Sequence, residues 1–198
     1  MKTSKQDEKR QVLFIQGGGA SVHSEWDSKL VASLRRHLGS GHVVLYPRMP
    51  NEDNPEFASW GEAIAREVPG LNDGAILVGH SIGGTILVHT VTRQPRLLGG
   101  IAAVCLIAAP FVGDGGWRSD EFTPASDWAA PLSQTDVCLY QGDADETTPM
   151  THLDLYTKAI PHARVRVLVG RDHQLNNDLH EVADDIRSAQ TSSSPASA

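Results

Sequence analysis

The run Gly79-His80-Ser81-Ile82-Gly83 holds residue types suited to chemistry at a hydroxyl. An apolar run leads into Gly79 and a helical pattern begins at Ile82, so the serine sits on a sharp turn, an elbow between a strand and a helix. Small residues are needed two before and two after it, because the turn brings those positions together where a side chain would clash. Gly84 extends the clearance. Such a turn holds Ser81 in a strained conformation, its hydroxyl above the sheet at the positive end of the following helix. The same residues also describe a capped helix start with glycines placed for packing, so the weight falls on whether an acid and a base follow.

Both follow, in the order Ser, Asp, His. The apolar run ending at Gln141 is succeeded by Gly142-Asp143-Ala144-Asp145-Glu146-Thr147-Thr148-Pro149, and the run ending at Val169 by Gly170-Arg171-Asp172-His173-Gln174. A serine hydroxyl is a poor nucleophile at neutral pH; His173 could take its proton and return it to a leaving group. Asp145 would then orient the imidazole and stabilise its cation. Asp145 is preferred over Asp143 because it lies deeper in the turn, whereas Asp143 directly follows Gly142 and reads as a residue holding the turn through an Asx bond. Of the other histidines, His80 is expected to be held by the elbow itself. His89, His152, His162 and His180 fall in or beside helices, and His23, His37 and His42 come earlier in the chain, so all of these read as surface or packing residues.

Acyl transfer also needs N–H donors aimed at a developing oxyanion. The amide of Ile82 is one. Gln16-Gly17-Gly18-Gly19-Ala20, at the end of the first strand, offers Gly18 as the second, with the register open by one residue. A dinucleotide site is the competing use of such glycines. It fails here because Val22 occupies the last glycine position of G-x-G-x-x-G and because the second strand runs into Tyr46-Pro47 with no acidic residue. Neither HExxH nor paired Cys and His spacing occurs, so no metal and no cofactor is expected.

The elements that must carry these residues are legible as alternating short apolar runs and longer amphipathic segments, the pattern of a mostly parallel sheet with helices on both faces. Six strands are predicted: Val12 to Gln16, Val43 to Tyr46, Ala75 to Gly79, Ile101 to Ile107, Val137 to Gln141 and Val165 to Val169. The first four are nearly continuous apolar runs, as strands covered on both faces should be. Arg166 interrupts the last and points to an edge. Helices are predicted at Glu25 to Leu38, with Ser24 as N-cap, and at Glu56 to Glu67, Ile82 to Thr92, Met150 to Ile160 and Asn177 to Ser188. Together these make a three-layer α/β/α sandwich in one domain over 11–188, after a flexible segment 1–10 and before a disordered tail 189–198. The stretch from Pro110 to Pro131 stands outside the rhythm and reads as a lid-like excursion whose Trp117, Phe122 and Trp128 could line a pocket or simply pack.

The chain's 198 residues, 40% hydrophobic and 21% charged, suit one soluble globular domain. A formal charge of −7 without a basic stripe excludes nucleic-acid binding. No signal peptide or membrane-length apolar run is apparent, so the cytoplasm is the expected compartment and no membrane partner is expected. Cys105 and Cys138, each inside an apolar run, read as reduced core thiols.

With these residues in place the sequence resembles the α/β-hydrolase superfamily. It is similar to the small, cap-poor branch of retinoblastoma-binding-protein-type serine hydrolases and their bacterial relatives. Beyond the elbow, the likeness rests on Pro47-Arg48-Met49-Pro50-Asn51 with Trp60 downstream, on Ala109-Pro110, and on Asp172-His173-Gln174-Leu175-Asn176-Asn177. Gln16 departs from it, since many relatives have His there. The resemblance implies strand order 2-1-3-4-5-6 and a triad of Ser81, Asp145 and His173. The expected activity is hydrolysis of a small-molecule ester or related acyl compound. Amide or peptide cleavage by the same triad, and a weakly catalytic ligand- or partner-binding role, are the alternatives.

Overall fold

The structure is a computed structural model that describes residues 9–189. The expected N-terminal segment and tail lie outside the described residues, apart from Lys9, Arg10 and Ala189. Six strands form one sheet: β1 (Arg10–Ile15), β2 (His42–Leu45), β3 (Ala75–His80), β4 (Ile101–Ile107), β5 (Asp136–Gly142) and β6 (Arg164–Leu168). Their order is β2-β1-β3-β4-β5-β6, and every pairing is parallel. All strands therefore point their C-terminal ends at one rim.

Five α-helices cover the sheet: α1 (Asp27–Leu38), α2 (Phe57–Glu67), α3 (Ser81–Arg93), α4 (Met150–Ala159) and α5 (His180–Ser188). Alternation along the strands divides the core in two. Leu13, Ile15, Leu77, Val104, Leu106 and Leu139 pack with Trp60, Ile64, Val88 and Tyr156 of α2, α3 and α4. Val12, Phe14, Ile76, Val78, Cys105 and Tyr140 pack with Leu30, Leu34, Val182 and Ile186 of α1 and α5. Both cysteines are free and buried. No helix among the described residues is long and apolar enough to cross a membrane.

β6 is an edge strand, as Arg166 suggested. Its Arg166 reaches over to Asp185 of α5, which also accepts the Tyr140 hydroxyl at 2.9 Å. β2 is the other edge, as the expected strand order implied, but it is less well covered than its apolar run suggested, with Val43 38% exposed. Apolarity over four residues cannot tell a covered strand from an edge whose outer side is only partly shielded.

Two helix starts differ from expectation by more than one residue. α1 begins at Asp27, after a π-helical turn over Val22–Trp26, and Ser24 is not its N-cap. Ser24 lies inside that π-helical turn, Trp26 takes the cap position, and no side chain caps the first amides of α1. α5 begins at His180 because Leu175, Asn176 and Asn177 all have positive φ, which forms a left-handed turn that no right-handed helix can continue.

The segment from Pro110 to Ala129 has no helix and no strand beyond an isolated bridge between Val112 and Trp117. It is stapled across the helices beneath it. Glu121 accepts the amide of Phe57 at 2.5 Å, which satisfies a donor at the start of α2, and Phe122 packs on Phe57. The Met-Pro-Asn segment has a structural role: Met49 is buried, and the Trp60 indole donates to the Pro50 carbonyl at 2.6 Å. Trp60→Ala should therefore lower the free energy of urea unfolding by about 3–5 kcal/mol, through the cavity and the lost bond together, with the slope of the transition unchanged.

Candidate active site

The loops on the common rim bring Ser81, Asp145 and His173 into one hydrogen-bonded chain. His173 lies 2.8 Å from Asp145 through Nδ1 and 2.9 Å from the Ser81 hydroxyl through Nε2. A carboxylate only accepts, so Nδ1 carries the proton and Nε2 is left to accept from the serine. That is the tautomer a general base requires.

Ser81 is held by backbone geometry. Its φ of 51° is left-handed, a conformation that costs a residue with a Cβ about 1–3 kcal/mol and persists only where neighbours impose it. The glycines explain how they do so, with a pairing different from the expected one. Gly79 lies against Gly84, where a Cβ would come within 2.5 Å of the Gly84 Cα. Gly83 faces the first strand's end instead, where a Cβ would stand 1.8 Å from the Gln16 carbonyl oxygen.

Asp145 is fixed on all sides. Its Oδ1 accepts the amides of Thr147 and Thr148 at 2.8 and 2.9 Å, and its Oδ2 accepts Gln141 Nε2 at 2.6 Å as well as His173. Burial alone would raise its pKa, but the bonds from His173 and the two threonine amides outweigh it and hold the carboxyl below its ordinary value. The Asx geometry expected of Asp143 thus belongs to Asp145. Asp143 reaches across to accept the Gly170 amide at 2.6 Å, tying the loop that carries Asp145 to the loop that carries His173. That second loop is closed by reciprocal bonds between Asp172 and Asn176, at 2.8 and 3.1 Å.

The glycine loop after β1 lies directly over the elbow. A Cβ on Gly17 would meet Ser81 Cβ at 3.2 Å, and one on Gly18 would meet Ile82 Cγ2 at 3.0 Å. Gly17 donates its amide to Asp27 and Gly19 donates to the Glu52 carbonyl, both at 2.7 Å. Among the described residues the Gly18 amide has no acceptor. Ile82 stands in the first turn of α3, where amides lack carbonyl partners within the helix.

The three aromatic candidates sit on the excursion. Phe122 and Trp128 pack against His89 of α3, and Trp128 also meets Phe111 and Tyr156. Trp117 is 40% exposed and sets its edge against His152. No cluster of three metal-binding side chains occurs among the described residues.

Four residues at this rim have partners that could not be read from sequence. Gln16 and Gln141 are polar residues at the ends of apolar strands. Gln16 accepts the Met49 amide and donates to Glu52, which joins the loops after β1 and β2, while Gln141 orients Asp145. Asp27 and His80 form a buried pair 3.0 Å apart, so His80 is held by α1 and not by the elbow alone. The signal for Asp27 was its spacing: three and four residues before Leu30 and Val31, it lies on the buried stripe of its helix.

An all-parallel sheet in this order, with a serine on a left-handed turn after β3, defines a class of proteins. Residues 12–134 match the Alpha/beta hydrolase family, and the chain belongs to that family. Comparison with curated proteins finds no matching sequence. Among solved structures, a single-residue variant of SOBER1 from Arabidopsis thaliana is similar at TM-score 0.66 and 15% identity, over 92% of this chain and 100% of that one. Est1E from Butyrivibrio proteoclasticus, bound to ferulic acid, gives 0.65 and 14%, over 96% and 92%. A serine hydrolase without a lid from Xanthomonas campestris gives 0.57 and 15%, over 100% and 87%. At such identities the likeness is one of fold.

Two outcomes follow from the geometry. Gly83→Ala must push the elbow away from Gln16 and should cost about 1–3 kcal/mol of stability in urea unfolding, as overpacking does. The carboxyls of Asp27 and Asp145, both held below their ordinary pKa, bind fewer protons folded than unfolded in mild acid. Their contribution is therefore complete above the ordinary carboxylate range near about 4 and is lost as pH falls through their folded values. Unfolding free energy should drop on acidification over that window, and less steeply in Asp145→Asn.

Proposed function

We propose that the chain is a serine hydrolase that cleaves a small ester or related acyl compound through an acyl-Ser81 intermediate. The observation that carries this reading is the continuous hydrogen-bond chain from Ser81 through His173 to Asp145, with the base in the tautomer that can accept the serine proton. In the proposed reaction His173 Nε2 takes that proton as Ser81 Oγ bonds to the acyl carbon. The oxyanion then receives the amides of Gly18 and Ile82, and Asp145 stabilises the imidazolium. Collapse of this intermediate breaks the bond to the leaving alcohol, which takes its proton from His173. A water activated by the same imidazole releases the acid and restores Ser81.

The lidless serine hydrolase and the ferulate-bound esterase among the similar folds are consistent with this chemistry. For the pocket wall we choose Trp117, the most exposed of the three aromatics, whereas Phe122 and Trp128 pack on His89 of α3.

A fluorophosphonate probe should label the chain and not Ser81→Ala, and p-nitrophenyl esters of graded acyl length should be turned over by the first alone. Asp145→Asn should lower kcat by about 10⁴, the loss expected when the base keeps the wrong tautomer, whereas Asp143→Asn should cost far less. Equal labelling of Ser81→Ala would overturn the reading, and a loss at Asp143 matching that at Asp145 would overturn the choice of acid.

A further inference from the structure

A second histidine–carboxylate pair lies behind the triad, and the proposed reaction leaves it without a task. Asp27 and His80 are both fully buried. Asp27 Oδ2 accepts the Gly17 amide at 2.7 Å and faces His80 Nδ1 at 3.0 Å, while its Oδ1 accepts Gln174 Nε2 at 3.3 Å. His80 Nε2 meets the main-chain carbonyl of His173 at 3.1 Å.

These partners fix the protons. A carbonyl oxygen can only accept, so Nε2 of His80 carries a hydrogen. A carboxylate that already takes an amide and a glutamine N–H is favoured in its ionised form, so Nδ1 donates as well. His80 is then an imidazolium against an aspartate. Burial works against that charge, but the charge and hydrogen bond of Asp27 outweigh it and raise the His80 pKa above its ordinary value. The titratable groups that face His80 are Asp27 from α1, and His173 and Asp145 from the loops after β6 and β5.

An ion pair is a poor device for stability at such a position. Its desolvation cost roughly cancels its attraction, and apolar side chains of similar volume often do as well or better. Its three bonds instead join three segments whose mutual placement the chemistry needs. Gly17 precedes the amide of Gly18, His80 precedes Ser81, and the carbonyl of His173 belongs to the base itself.

We propose that the Asp27–His80 ion pair is a positioning unit, which holds the oxyanion loop and the base loop in register with the elbow. This inference rests on the serine hydrolase reading. Neither residue touches the reacting atoms, so their loss should lower kcat and leave substrate binding nearly unchanged.

The test counts active sites with the fluorophosphonate label carried to completion and expresses kcat per labelled site. In Asp27→Asn and in His80→Gln, kcat per site should fall about 10–100-fold, the penalty of misplacing reacting groups by about an ångström, with KM within about threefold. A merely structural role would reduce the number of sites that label and leave kcat per site intact. Nitrogen-15 NMR of the unmodified chain adds a measurement independent of any variant: at a pH equal to the ordinary imidazole value of about 6.5, His80 should show protons on both ring nitrogens in most molecules. A neutral His80 at that pH, or full kcat per site in the variants, overturns the positioning role while the hydrolase reading stands. Should one variant fail to fold, the other and the NMR decide. A chain whose Ser81 never takes the label overturns the hydrolase reading and this inference with it.

Discussion

The site depends on one backbone angle. Ser81 is held at a φ of 51°, which its own side chain disfavours, and the neighbours that impose it are themselves fixed by contact. Gly79 and Gly84 touch across the turn, and Gly83 abuts the carbonyl of Gln16. Because β3 is central in the sheet and buried along its whole length, the strand entering the turn cannot yield, and α3 leaving it is buried over most of its residues. Strain is stored where the surroundings are stiffest.

Around that turn, polar residues at the ends of strands replace what would otherwise be mobile loops. Gln16 at the end of β1 ties together the loops after β1 and β2, and Gln141 near the end of β5 holds Asp145 from behind. Asp143 joins the loop that carries Asp145 to the loop that carries His173 through the Gly170 amide. The rim is therefore a network of side chains and amides in which each loop is anchored to its neighbour, and the order in His173's orientation comes from two shells of partners.

Most of the architecture was legible because it rests on local patterns. Six apolar runs and five amphipathic segments gave the elements, and the order of Ser81, Asp145 and His173 along the chain pointed to their meeting at one end of the sheet. What escaped was set by partners distant in sequence. The polarity of Gln16 and Gln141 has no meaning until the loops they bind are known, and the buried charge of Asp27 has none without His80, which lies 53 residues away in sequence. The helix boundary at His180 escaped for a different reason. Leu175, which no propensity places in a left-handed turn, takes that conformation because the loop bearing His173 must reverse there.

The parallel sheet also separates the molecule into two ends under unequal constraint. Every segment bound into the hydrogen-bond network leaves a strand at its C-terminal end, while the connections entering strands, such as Gly39–Gly41 before β2 and the turn at 161–163 before β6, lie at the opposite end. Those turns are mostly exposed and contribute nothing to the rim. They are the natural points for attachment, where a tether, a label or an inserted domain would leave the working face of the sheet free to solvent and its loops untouched.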